Sequence, residues 1–399
     1  MKRIITLAIL LLGIASISSA QTGTWSGQLE VQETALSIVF HLDGENPTAD
    51  SPDQGARGIP VEVERNGMGG IVIRIPSLGA SFEGQWLVKQ IAGTFKQLGL
   101  SLPLTLTPGE PKLNRPQTPV GPFPYAEEEV SFANGDAVLQ GTLVLPERCT
   151  RKTPVLIMVT GSGQQNRDEE IFEHKPFAVI ADAFARAGVA TLRYDDRGVG
   201  GSTGDVLDST TEDFKNDALA GIELLRERFD KVGVIGHSEG GTIALMLAAE
   251  GRADFIISLA GMAISGKETL LWQYRSRLKQ AGIPEESIDD YVEMAMKQNQ
   301  SPWMNYFQTV DVRPLLGRIT CPVLALNGTL DMQVEPEANL GALRAGLPAN
   351  PRTRIEALEG LNHLFQHSRT GDVTEYRSIE ETFAPEALES MVQWLEGMK

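Results

Sequence analysis

The stretch KVGVIGHSEGGTIALMLAAE, residues 231–250, decides how the rest of the chain is read. An apolar run from Val232 leads into Gly236-His237-Ser238-Glu239-Gly240, and the run TIALMLAAE follows without a gap. Valine and isoleucine before the turn and Ala, Leu and Met after it predict a buried strand, a sharp turn and a helix. That context holds a serine hydroxyl above a sheet, with glycines two before and two after to avoid clashes. Ser238 is therefore the candidate nucleophile. The pattern G-x-S-x-G alone is weak in a chain with 40 glycines, and a second copy stands at Gly200-Gly201-Ser202-Thr203-Gly204. Polar residues 195–199 separate that copy from the strand before it, and loop sequence follows from Asp205. Ser202 lacks both flanks and reads as structural.

Outward from this stretch, apolar runs alternate with amphipathic segments. PVLIMVTG, VATLRYDD, DFIISLAG, CPVLALNG and RIEALEG read as strands, with helical sequence at 175–188, 211–229 and 241–250 between them. Such alternation predicts an α/β class: a mostly parallel sheet with helices on both faces. Two further strands, EEEVSFA and LQGTLVLP, open the domain, which spans 125–399. Residues 262–319 break the alternation with mostly helical sequence and read as a cap inserted at the sheet's C-terminal edge. Upstream, residues 21–108 carry seven short runs rich in alternation and β-branched residues, expected to form a small all-β barrel or sandwich. The run 108–124 holds six prolines, so 109–124 reads as an extended linker.

A serine hydroxyl needs a base to take its proton, and the chain offers five histidines. His41 lies in the β region, His174 follows an early loop and could line the site, and the ring of His237 is expected to point away from Ser238. His363, in the loop LNHLF after the last strand, is the preferred base, with His367 as runner-up. Asp331, at the C-terminal end of CPVLALNG, is the group that orients the imidazole. The order Ser238, Asp331, His363 is that of α/β-hydrolases. The oxyanion hole is expected from the N–H of Glu239 and the loop Thr160-Gly161-Ser162-Gly163-Gln164, with the Ser162 N–H favoured and Gly163 as alternative. The other reading of such a loop, a phosphate cradle, lacks its GxxxxGK[ST] signature. Arg197 reads as a brace for its loop.

At these residues the chain resembles the α/β-hydrolase superfamily, and more narrowly the EstD-type bacterial carboxylesterases. The motifs that carry the resemblance are GSGQQNRDE at 161–169, LRYDDRGVGGSTG at 192–204, GHSEGG at 236–241, CPVLALNGTLD at 321–331 and GLNHLF at 360–365. The pattern departs from the family at Gln164, where proline is expected, and at Asn166, where aspartate is expected. The resemblance implies hydrolysis of carboxylic esters without a cofactor and supports Ser238, Asp331 and His363 position by position. It says little about residues 21–108.

Composition closes off other classes. The 35 Lys and Arg stand against 52 Asp and Glu, a formal charge of −17, which argues against nucleic acid or an anionic membrane as partner. Two cysteines, Cys149 and Cys321, allow one disulfide and no thiolate metal cluster; no HExxH or EF-hand occurs, so no metal or cofactor is expected. Residues 1–20 combine Lys2 and Arg3, an apolar run and Ser18-Ser19-Ala20, a cleavable secretory signal. The mature protein is expected to be exported, periplasmic or extracellular, without stable membrane insertion. Six aromatic residues, Trp272, Tyr274, Tyr291, Trp303, Tyr306 and Phe307, crowd the cap, and the last three are expected to contact an acyl group. The leading expectation is a serine carboxylesterase on short- to medium-chain esters. A peptidase or acyltransferase on the same triad, or a surface binding protein acting through the β domain, are the alternatives.

Overall fold

The structure, a computed structural model, describes residues 22–398 apart from 32, 33, 55, 67, 68, 88 and 299. The secretory signal read at 1–20 lies outside the described residues. The chain divides into two compact units, with the boundary between Leu113 and Asn114.

The first unit is one antiparallel sheet. Its strands are β1 (Thr24–Val31), β2 (Thr34–His41), β3 (Thr48–Ser51), β4 (Ala56–Pro60), β5 (Glu62–Arg65), β6 (Gly70–Ile75), β7 (Ala80–Trp86), β8 (Ile91–Gln97) and β9 (Leu100–Pro108). They lie in the order β4-β3-β2-β1-β9-β8-β7-β6-β5, so hairpins supply every neighbour except β1 and β9. Period-two alternation puts Ile71, Ile73 and Ile75 of β6 into one core with Phe40, Phe82, Phe95, Leu104 and Leu106. Seven runs in the sequence become nine strands for two reasons. IPVEVERN divides at Val61 between β4 and β5, and the short polar TADS of β3 forms by pairing with β2, Phe40 opposite Ala49.

The second unit begins with an antiparallel pair, β10 (Ala126–Asn134) and β11 (Ala137–Leu145). Parallel strands and helices then alternate: β12 (Val155–Val159), α1 (Pro176–Arg186), β13 (Ala190–Tyr194), α2 (Thr211–Arg226), β14 (Val232–His237), α3 (Glu239–Ala249) and β15 (Ile256–Leu259). The cap helices α4 (Gly266–Gln280), α5 (Glu285–Gln298) and α6 (Pro302–Phe307) follow, then β16 (Val323–Gly328), α7 (Pro336–Gly346), β17 (Arg354–Leu358) and α8 (Pro385–Glu396). The sheet order β10-β11-β13-β12-β14-β15-β16-β17, with only β11 antiparallel to its central neighbour, is the α/β-hydrolase fold. Both faces are buried. Val155, Ile157 and Val159 of β12 join α2, α3 and α7 in one core; Leu156 and Met158 join α1 and α8 in the other. This explains why the strands read as unbroken apolar runs rather than alternating ones.

The second half of the proline-rich run is fastened to this second unit. Arg115 donates to the carbonyls of Arg377 and Ile379, both at 2.8 Å, and Gln117 bonds Thr382 and Phe383. Among the described residues no helix is long and apolar enough to cross a membrane. Cys149 and Cys321 are both free, so the one disulfide they could form is absent.

Candidate active site

Three segments of the second unit converge at the C-terminal ends of the parallel strands. The first is the turn from β14 to α3. Ser238 stands there with φ 54° and ψ −116°, a conformation L-residues rarely adopt. The flanking glycines are required by close packing, not by their own torsions. A Cβ on Gly236 would lie 2.0 Å from the Gly240 carbonyl oxygen, and one on Gly240 would lie 2.1 Å from that of Val159. The second segment is the loop after β17. His363 is buried there, and its Nδ1 lies 2.8 Å from Asp331 Oδ2. Asp331, at the end of β16, is itself fixed, since Oδ1 accepts the backbone N–H groups of Gln333 (2.7 Å) and Val334 (2.9 Å). The third segment is the loop 160–169 after β12.

That loop is held by three carboxylates. Asp196 accepts the Thr160 hydroxyl at 2.8 Å and the Gln165 N–H at 3.0 Å. Asp195 takes the Arg167 N–H and guanidinium, at 2.9 Å in each case. Glu169 accepts the Gly161 N–H at 2.6 Å. Burial pushes Asp196 up to about 8, against the hydrogen bonds from Thr160 and Gln165. Asn166, where aspartate was expected, caps the loop by accepting the N–H groups of Asp168 and Glu170.

Ser238, His363, His237, Glu169, Gly161 and Ser162 line one cavity of about 290 Å³. Its apolar wall comes from Met262, Leu270, Trp303, Phe307 and Val334, and its polar wall from Gln165, Gln273, Gln333, Arg277 and Tyr376. Of the two oxyanion donors considered, Ser162 lies in the cavity wall and Gly163 does not. Glu239 follows the nucleophile. Its buried carboxylate accepts Thr211 Oγ1 at 2.6 Å and Trp303 Nε1 at 3.0 Å, tying the cap helix α6 to the elbow. Burial raises the Glu239 carboxyl above its ordinary value, partly offset by bonds from Thr211, Ser162 and Trp303.

Several expectations change. Tyr306 does not line the cavity: it packs against the core beneath the cap and its hydroxyl reaches Glu212 at 3.2 Å. His174 is buried outside the cavity, bonding Thr382 Oγ1 at 2.9 Å and the Tyr376 carbonyl at 3.1 Å. His367 is exposed and paired with Glu381 and Glu386. The hydroxyl of Ser202 donates to the Asp195 carbonyl at 2.7 Å and accepts the Gln140 N–H, a structural role. Arg197 braces its loop through Asp217 at 2.6 and 2.7 Å. The ring of His237 was expected to point away from Ser238; its nitrogens reach Glu169 Oε1 at 3.0 Å and the His363 carbonyl, and the residue lines the cavity. Burial opposes charge on His237, but Glu169, the His363 carbonyl and Asp331 outweigh it and hold the imidazole above its ordinary value. Glu169 and His237 are the site residues that sequence reasoning missed. The available signal was a carboxylate in the same motif as Gly161 and an imidazole adjoining the nucleophile.

Residues 134–315 match the family described as X-Pro dipeptidyl-peptidase (S15 family). The chain is 28% identical over 262 residues to Esterase EstD of Thermotoga maritima, a match covering 61% of this chain and 61% of that protein. It therefore spans about three fifths of that relative's length. Among solved structures, the chain is similar to Est1E from Butyrivibrio proteoclasticus at 17% identity, covering 68% of this chain and 98% of that one, with a TM-score of 0.47. A Pyrococcus furiosus esterase is 18% identical over 72% of this chain and 99% of its own, with a TM-score of 0.48. Proline iminopeptidase from Mycobacterium smegmatis is 16% identical over 68% of this chain and 98% of its own, with a TM-score of 0.46.

Proposed function

We propose that this α/β-hydrolase is an exported serine carboxylesterase acting on short- to medium-chain carboxylic esters. The observation that carries the reading is the Asp331–His363 pair, 2.8 Å apart, in a cavity whose wall also holds Ser238 on its strained turn. The Ser238 hydroxyl attacks the ester carbonyl, and the far nitrogen of His363 takes its proton. Asp331 keeps the proton on Nδ1 and stabilises the imidazolium that forms. The N–H groups of Ser162 and Glu239 receive the oxyanion. The alcohol leaves with a proton from His363, and water then cleaves the acyl-serine by the same steps in reverse roles. A cavity of about 290 Å³ lies at the small end of ligand-pocket sizes, which favours short acyl chains.

The match to dipeptidyl-peptidases supplies the second reading. Release of N-terminal dipeptides calls for an anion to hold the substrate's free ammonium group. Among the described residues the one carboxylate in the cavity wall, Glu169, is already committed to Gly161 and His237. Ester hydrolysis makes no such demand. The test is labelling by a fluorophosphonate probe, followed by turnover of p-nitrophenyl esters of graded length beside aminoacyl-proline amides. Ser238→Ala and His363→Ala should abolish labelling while Ser202→Ala and His367→Ala leave it. Labelling that survives Ser238→Ala, or amide turnover above ester turnover, would sink the proposal. Export predicts a mature chain beginning at Gln21, read directly by N-terminal sequencing of the secreted protein.

A further inference from the structure

The cavity wall contains a second carboxylate–imidazole pair that the proposed triad does not use. Glu169 and His237 are both buried, and Oε1 of Glu169 accepts the Gly161 N–H at 2.6 Å while lying 3.0 Å from His237 Nδ1. The other ring nitrogen, Nε2, lies 2.9 Å from the carbonyl oxygen of His363. With Glu169 ionised, both neighbours are acceptors only, so both ring nitrogens donate and the His237–Glu169 bond is charge-assisted. The ring centroids of His237 and His363 are 4.7 Å apart. The packing is tight enough that a Cβ on Gly161 would meet Glu169 Oε1 at 3.2 Å, Ser238 Cβ at 3.3 Å and His237 Nδ1 at 3.5 Å. One continuous chain of charge-assisted bonds thus joins the oxyanion loop, the elbow and the backbone of the base.

We propose that Glu169 and His237 form a positioning unit that sets the oxyanion loop and the loop of His363 against Ser238. The proposal rests on the serine-hydrolase reading. Its physical content is specific. By taking the Gly161 N–H, Glu169 removes that amide from the cavity and fixes the turn that presents the next one, Ser162. By donating to the His363 carbonyl, His237 fixes the main chain from which the base hangs. Neither side chain exchanges a proton with substrate. A displacement of about 1 Å in such machinery costs on the order of 100-fold in rate while leaving ground-state binding largely intact.

The experiment compares wild type with Glu169→Ala, Glu169→Gln and His237→Phe. It measures the rate constant for fluorophosphonate labelling of Ser238, kcat and KM on a short ester, and affinity for a trifluoromethyl ketone that mimics the oxyanion. Glu169→Ala and His237→Phe should each slow labelling and lower kcat by about 100-fold, with KM within about threefold and ketone affinity falling in step with kcat. Glu169→Gln keeps an acceptor for Gly161 and should recover at least tenfold of that loss. The double variant should be no worse than either single one, as expected for residues acting as one unit. The inference is overturned if a folded Glu169→Ala or His237→Phe protein labels within threefold of wild type, or if only the melting temperature falls. Should Glu169→Ala not fold, Glu169→Gln and His237→Phe decide by the same criteria. A wild type that fails to label at all overturns the serine-hydrolase reading, and the inference falls with it.

Discussion

Ser238, the proposed nucleophile, sits on a backbone that its own side chain disfavours. A residue held at φ 54° and ψ −116° stores on the order of 1–3 kcal/mol, supplied by the packing around Gly236 and Gly240. Glycine adopts that geometry without strain, at an entropic cost of about 0.5–1 kcal/mol in the unfolded chain. The two terms predict an inversion of the usual order: Ser238→Gly should be more stable than Ser238→Ala by about 1 kcal/mol, with both expected to be inactive. Chemical denaturation of the two variants measures the difference. If Ser238→Ala proves the more stable, the turn is not strained. The same residue shows how far a sequence speaks at this scale. Gly, Ser and Gly at fixed spacing between an apolar strand and a helix announce the turn, because Gly236 is required by the turn itself and Gly240 by the neighbouring strand's Val159 carbonyl. The Glu169–His237 bond spans 68 residues and depends on where two loops land, so nothing in the local sequence marks it.

Elements were legible in proportion to how much of their stability is local pattern. The central strands of the second sheet read directly because β12, β13, β14, β15 and β16 are apolar runs buried on two faces, and the cap read as mostly helical sequence. β3 did not, because TADS gains its place from neighbours. The long loop from Phe365 to Phe383 had no readable pattern either, and the structure shows what holds it. His174 sits beneath it, with Nδ1 2.9 Å from the Thr382 hydroxyl and Nε2 3.1 Å from both the Tyr376 carbonyl and the Gln366 side-chain amide. Burial, with the charge of Arg115 nearby, lowers His174 from 6.5 to about 4. The sign follows from linkage. With a folded value below the unfolded one, the stability this ring contributes is present above about pH 6.5 and is lost as pH falls toward 4. The full extent is on the order of 3 kcal/mol. Between about pH 7 and 4.5, wild type should therefore lose more stability than His174→Gln, whose side chain does not titrate. Parallel losses in the two proteins would show that His174 is not the acid-sensitive anchor of this loop.

At the scale of the whole molecule the chain presents two units, each with its own core. Trp25, Phe40, Phe82 and their neighbours form a core of the first, and the two layers about the parallel sheet belong to the second. Every residue lining the candidate catalytic cavity lies in the second unit. The sequence marks the junction only as proline-rich, which predicts an extended segment but not what it touches. Its two halves differ in consequence. Residues from Asn114 on belong to the second unit, where Arg115 and Gln117 close hydrogen bonds to the carbonyls of Arg377, Ile379 and Phe383 and to the N–H of Thr382. These bonds hold the same loop that His174 supports from within. Cutting the chain before Asn114 should therefore leave a protein that folds and hydrolyses a two-carbon ester within about tenfold of the full-length kcat/KM. Cutting before Tyr125 removes Arg115 and Gln117, strands backbone acceptors those side chains had satisfied, and should cost about 1–3 kcal/mol of stability. Thermal melts of 114–399 and 125–399 beside the full chain, with kcat/KM on the same ester, separate the two effects. A shorter fragment as stable as the longer one would show that the two side chains contribute nothing. If the 114–399 fragment is folded by circular dichroism yet at least 100-fold slower, a loss of about 2.7 kcal/mol in transition-state stabilisation, then catalysis depends on the β unit and the two units are not functionally independent.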